Sequence, residues 1–166
     1  CYLLLYWAFV TNCEIKDVQK IIRVSLVSAA IISIYGIFEH FGHSFSCLMF
    51  QGSFDVSCWV QKVQERVFAT LGQPNWLAAY FAILIPISWV KIIQSKSTKS
   101  LAFYLLLTSC YFLCFIFTDS RSGFLGLALG GIIFWLTVIF ANKSQIKTFA
   151  KPLILTSFFL ILSIVV

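Results

Sequence analysis

Charge is scarce in this sequence. Only 11% of its 166 residues are Asp, Glu, Lys or Arg, against about 25% in soluble domains. Acidic residues number 6 and histidines 2. That leaves too little polar surface to cover a globular core, so a soluble domain fits poorly. Met49 is the one methionine. No basic segment precedes the first apolar run, so the start does not read as a secretory signal peptide. A glycine-rich nucleotide loop, a nucleophile elbow and a paired-carboxylate motif are all missing. So is any internal repeat or low-complexity tract.

What is present is apolar: 60% of the chain is hydrophobic. A membrane span needs roughly 17–25 mostly apolar residues. Full spans are predicted near 21–42, 76–93, 101–118 and 124–141, with partial spans at 1–10 and 152–166. Loops then fall at 11–20, 43–75, 94–100, 119–123 and 142–151. In lipid such runs satisfy their backbone as helices. The fold class expected is an all-α polytopic transmembrane bundle, a single transmembrane domain over 1–166. Both ends fall inside apolar runs, so a portion of a longer protein, extending past both ends, is expected.

The net charge of +6 does not point to nucleic acid, because the cations sit in short loops between apolar runs, not along one face. Their distribution sets an orientation instead. Lys16, Lys20, Arg23, Lys91, Lys96, Lys99, Lys143, Lys147 and Lys151 fall on one side, nine of the 12 basic residues. That side is expected to be cytoplasmic. Loops 43–75 and 119–123, with Lys62, Arg66 and Arg121, are then outside.

Within loop 43–75, Val60, Val63, Val67 and Leu71 recur at helical spacing between Trp59 and Leu71. This predicts a short helix lying at the interface. Gly72-Gln-Pro-Asn75 ends it. Asn75 is the expected N-cap of the next span, Trp76 sits at headgroup depth, and Pro86 is a kink candidate.

Arginine is always charged, so its place at a membrane edge calls for an anion. Arg121 falls in the first turn of a helix, with Asp119 or Ser120 as N-cap. Helix N-terminal amides plus a guanidinium make an anion site. A salt bridge to Asp119, or plain solvation, is the alternative. Arg66 and Lys62 are four residues apart and on a helix would share a face able to grip a pyrophosphate. The alternative there is a solvated arginine paired with Glu65.

Gly123, Gly126 and Gly130 form a stripe of small residues that favours helix packing. Cys47 and Cys58 permit a disulfide without requiring one. Cys110 and Cys114 read as packing residues. Glu39, His40 and His43 admit a His–carboxylate pair, though a polar cluster at the membrane edge fits them better. Zinc has weak support.

Two blocks carry a resemblance. Arg66 through Pro86 reads Arg-Val-Phe-Ala-Thr-Leu-Gly-Gln-Pro-Asn-Trp-Leu-Ala-Ala-Tyr-Phe-Ala-Ile-Leu-Ile-Pro. It resembles a segment of the O-antigen ligase and polymerase superfamily with an arginine, then Gly-x-Pro-Asn, then a span containing proline. Thr118-Asp-Ser-Arg-Ser-Gly-Phe-Leu-Gly-Leu is similar to that superfamily's later Ser-Arg-Ser/Gly-Gly motif. The order of the blocks and the hairpin of spans between them also match.

The resemblance implies a bacterial inner-membrane glycosyltransferase that needs no metal or other cofactor. Its donor would be an undecaprenyl-pyrophosphate-linked glycan at the periplasmic face, its acceptor lipid A core, another glycan or a protein. Arg66 and Arg121, with Lys62, would bind the pyrophosphate. Gly72, Pro74, Asn75, Ser120 and Gly123 would be motif positions that shape the site. The family's catalytic histidine belongs to a downstream periplasmic loop, so residues 1–166 alone are expected to be inactive. A small-anion transporter and a non-catalytic membrane subunit are the competing classes. The transporter calls for broken helices with polar residues near the midplane.

Overall fold

The computed structural model describes residues 2–141; loop 142–151 and the partial span 152–166 lie outside the described residues. Every regular element among them is helical. In chain order these are α1 (Tyr2–Asn12), α2 (Ile15–His40), α3 (Phe45–Gln51), a 3-10 turn (Ala69–Leu71), α4 (Pro74–Gln94), α5 (Thr98–Ile116) and α6 (Arg121–Ala141). Four of them, α2, α4, α5 and α6, are long and apolar enough to cross a membrane. These correspond to the four predicted full spans, and the fold is a helical membrane bundle.

The first predicted loop, 11–20, shrinks to Cys13 and Glu14. The Asp17 carboxylate accepts the Glu14 N–H at 3.0 Å, so α2 starts early and carries Lys16 and Lys20 on its first turns.

Helix α4 is the centre and packs against α2, α5 and α6. Leu77, Phe81, Ile85 and Trp89 lie at four-residue spacing, which aligns them on one face. All four are buried, with Tyr111 and Phe115 of α5, Leu127 of α6 and Ala29 of α2 closing around them. Two buried hydroxyls also cross the interface, Thr108 Oγ1 to Ser88 Oγ at 2.8 Å. By contrast, Val27, Ile31 and Ile34 of α2 and Leu129, Ile133 and Leu136 of α6 are exposed. Lipid tails are as apolar as these side chains, so such faces need no protein cover.

The bundle has two distinct ends. At one, Lys91 of α4 reaches Gln19 of α2, Nζ to Oε1 3.3 Å. At the other, the Val67 N–H donates to the Phe117 carbonyl at 2.9 Å. That bond ties the long α3–α4 connection to the end of α5.

The long connection departs from expectation. Residues 59–71 are not a helix but successive turns that close in the 3-10 turn. The short helix of this loop is α3, ended by Gly52 in the left-handed region at φ 74°. Val67 is buried in the bundle core and Val63 is also buried, whereas Val60 is fully exposed. β-Branched valines are weak helix formers, and docking onto Phe117 outweighs a modest periodicity. Cys47 and Cys58 form a disulfide with Cα atoms 5.4 Å apart, anchoring α3 to this segment. Replacing both by serine is expected to remove about 2–4 kcal/mol of loop stability. Faster amide exchange over 45–71 is the readout, with helices α4–α6 unaffected.

Helix α4 begins at Pro74, with Gln73 as N-cap. Proline suits that first position because its missing N–H is an orphan there anyway. Asn75 therefore does not cap α4, and its side chain is free for another task. Helix α4 also continues through Pro86.

Among the described residues, only Gly123 of the expected glycine stripe packs against another helix. A Cβ on it would sit 2.6 Å from the Ala78 Cβ, while Gly126 and Gly130 meet no described atom within 4 Å. The turn of α6 that buries Leu127 points those two glycines outward with Leu129 and Ile133. Gly123→Ala is expected to destabilise by about 1–3 kcal/mol through overpacking. Gly126→Ala is expected to be neutral or slightly stabilising. Thermal unfolding of the two variants in one detergent separates these outcomes.

Candidate anion-binding site

The site forms where the α5–α6 break meets the start of α4. Helix α6 is capped by Ser120, whose Oγ accepts the Gly123 N–H at 3.2 Å. The same hydroxyl donates to Asn75 Oδ1 at 2.9 Å. Asn75 thus links the starts of α4 and α6, from the second position of its helix. Gly72 supplies the turn before it, in the left-handed region at φ 75°.

Arg66 lies across the break. Its Nε donates to the Thr118 carbonyl at 3.4 Å. Its Nη2 donates to the Asp119 carbonyl at 3.2 Å and to Asn75 Oδ1 at 3.3 Å. Carbonyls past a helix C-terminus are orphan acceptors at the negative end of the dipole, so a guanidinium fits there. All three acceptors are uncharged. Nη1, with two further donors, has no bond among the described residues.

The alternative partner for Arg66 is taken. Glu65 pairs with Lys62 at 2.9 Å, and the only other ion pair among the described residues is Lys16–Glu14. Arg66 therefore keeps its whole charge. Lys62 and Arg66 do not share a helix face, because no helix forms there. They still line one cleft of about 330 Å³, with Glu65 beside them and Gln73, Pro74 and Asn75 opposite. Small-ligand sites begin at about this size. The Glu65 carboxylate, by hydrogen bond and then by charge, holds Lys62 above the usual lysine range. Lys62 therefore stays charged at neutral pH.

Arg121 is the first residue of α6 and is exposed. Its side chain forms neither a salt bridge to Asp119 nor any hydrogen bond among the described residues. It is not part of the cleft wall, although it adjoins Ser120. The two sequence blocks are thus joined through Arg66, Asn75, Ser120 and the 118–119 backbone, not through paired arginines.

Glu39 is the residue whose role the sequence did not reveal. It is fully buried at the end of α2. Its Oε2 accepts the Ala69 N–H at 3.0 Å, while Oε1 has no hydrogen-bond partner among the described residues. Ala69 sits at φ 47° and Asp119 at φ 44°. Such conformations are costly for a residue with a side chain and persist where surroundings impose them. Glu39 fixes the first and Arg66 grips the carbonyl of the second. An acid at the end of an apolar span was the available signal. The His–carboxylate pair does not form: His40 stacks on Phe117 at 3.7 Å and His43 packs beside Phe54 at 5.1 Å. No cluster of three or more His, Cys, Asp or Glu side chains suited to a metal occurs among the described residues.

The molecule is thus a helical membrane protein with a cationic cleft at one end of its bundle. Compared with known proteins, the chain matches no family model, no curated protein and no solved structure.

Proposed function

We propose that the full-length protein is a glycosyltransferase of the O-antigen ligase and polymerase type, with the Arg66 cleft as its pyrophosphate site. The observation that supports this is the junction of the two blocks on which the resemblance rests. Arg66 and Asn75 of the first bond to Thr118, Asp119 and Ser120 of the second. A guanidinium with no carboxylate partner and with unbonded donors among the described residues borders a polar cleft there, and phosphate oxygens suit that fork.

The loops bearing the cleft would face the periplasm of a bacterial inner membrane, opposite the lysine-rich end. An acceptor hydroxyl on lipid A core, a glycan or a protein attacks the anomeric carbon of the donor sugar. The carbon–oxygen bond to phosphate breaks, and undecaprenyl pyrophosphate leaves with the electron pair. Arg66 and Lys62 neutralise charge that grows on the pyrophosphate as that bond breaks. The resemblance assigns the hydroxyl proton to a histidine in a downstream loop. Neither His40 nor His43 is offered that role, since both pack against aromatic rings.

The test is transfer by the full-length protein in proteoliposomes containing an undecaprenyl-pyrophosphate-linked glycan and an acceptor. Release of undecaprenyl pyrophosphate, matched by glycosylated acceptor, is expected, and excess EDTA should not reduce it. An unchanged donor, or transfer abolished by EDTA and restored by a divalent ion, overturns the proposal.

A further inference from the structure

A second cavity lies at the opposite end of the bundle and has no part in the proposed transfer. It is a groove of about 480 Å³ between α2, α4 and α5. Its mouth is polar: Gln19 and Arg23 stand one turn apart on α2, and Lys91 comes from the last turn of α4. Lys91 donates to Gln19 at 3.3 Å. Arg23 is exposed, and its guanidinium has neither an ion pair nor a hydrogen bond among the described residues. No acid among the described residues lines the groove, so two positive charges stand together there without a described counter-charge.

Beyond the mouth the walls become apolar. Val27, Ile31 and Ile34 of α2 face Phe103 and Leu107 of α5. From Arg23 to Ile34 is eleven residues, or about 16 Å of helix at roughly 1.5 Å per residue. That matches one leaflet of a hydrocarbon core about 30 Å thick. Cations at the headgroup edge and an apolar trench one leaflet deep fit a molecule with an anionic head and a hydrocarbon tail.

We propose that this groove is a binding site for one anionic phospholipid, its phosphate held by Arg23 and Lys91 and an acyl chain lying along Val27, Ile31 and Ile34. Basic pockets between membrane helices suit anionic headgroups. A helix from a second copy would fill the trench but leave both cations unmatched, so charge favours the lipid. The site stands independently of the Arg66 cleft and of any transfer activity.

The test is native mass spectrometry of the full-length protein from mixed micelles with equal mole fractions of phosphatidylglycerol and phosphatidylcholine. The wild type is expected to retain one phosphatidylglycerol in preference to phosphatidylcholine. A surface cation near an anionic headgroup contributes about fivefold in affinity. R23Q/K91Q is therefore expected to lower the preference roughly 25-fold. K96Q/K99Q removes two exposed cations from the same end outside the groove and should leave it unchanged. Ile31→Trp blocks the trench with both cations in place and should also expel the lipid. All these positions lie at the protein surface, and helical circular dichroism checks that the variants fold. Equal retention of the two lipids by the wild type overturns the proposal. So does a preference that survives R23Q/K91Q, falls equally with K96Q/K99Q, or is replaced by a dimer carrying no lipid.

Discussion

Arg66→Ala in the full-length protein is expected to lower glycan transfer at least about 100-fold, the scale of removing one preorganised donor to a developing anion. Among the described residues, the charge at this position has no carboxylate partner and Nη1 has no bond. The rest of the guanidinium serves structure, since Nε and Nη2 hold the Thr118 and Asp119 carbonyls. Losing those bonds costs about 1–3 kcal/mol of local stability, so folding must be followed beside activity. Arg66→Lys separates the two roles. It keeps the charge but loses the planar fork that grips the α5–α6 break and a phosphate together. Its transfer rate should fall between wild type and Arg66→Ala. Inorganic pyrophosphate should inhibit the wild type and lose potency in both variants. Arg121→Ala should cost less, about tenfold, because Arg121 stands beside the cleft and not in its wall. The measurement is initial rate against donor concentration, with size-exclusion behaviour as the folding control. If Arg66→Ala is folded and fully active, Arg66 only caps α5, and the reading of the cleft as a donor site fails.

Glu39→Ala is expected to have the largest effect on stability, about 3–5 kcal/mol. It removes the acceptor of a buried N–H, at about 1–3 kcal/mol, and opens a cavity beneath the Ala69 turn. Glu39→Gln keeps a carbonyl oxygen where Oε2 accepts the Ala69 N–H at 3.0 Å, so most of the stability should remain. Ala69→Gly placed in the Glu39→Ala background should recover about 1 kcal/mol, because glycine adopts positive φ without a steric penalty. Amide exchange over Val67–Leu71 reports on the turn, and thermal unfolding reports on the whole bundle. Equal destabilisation by Glu39→Ala and Glu39→Gln would show that the side chain acts by volume and not as an acceptor. The consequence for function is direct, since this turn connects Arg66 to Asn75.

The four spans were legible because lipid leaves the backbone a single economical solution, and length plus apolarity marks it. Their ends were less so. Asp17 reaching the Glu14 amide started α2 inside a predicted loop, and Gln73 with Pro74 capped α4 in place of Asn75. The valine pattern in 59–71 misled for a different reason. Val67 is buried where the segment docks on Phe117, and a docked irregular chain can mimic helical spacing. The glycine stripe packs only at Gly123 among the described residues. Gly126 and Gly130 look like a contact motif, yet the rotation of α6 that seats Leu127 turns them outward.

For the candidate site, the sequence alone identified which residues were out of place. Arginines at a membrane edge, and polar blocks between apolar runs, stand out against a solvent that tolerates neither. Partnership could not be read there. Glu65 adjoins Arg66 in sequence but pairs with Lys62, while Thr118, Asp119 and Asn75 are the partners that the fold supplies. Glu39 adjoins His40 but serves Ala69, thirty residues on. Membrane insertion depends on composition summed over twenty or so residues, which a sequence displays directly. Hydrogen bonds depend on ångström-scale distances between groups far apart in the chain, and only the packing of α2, α4, α5 and α6 sets those.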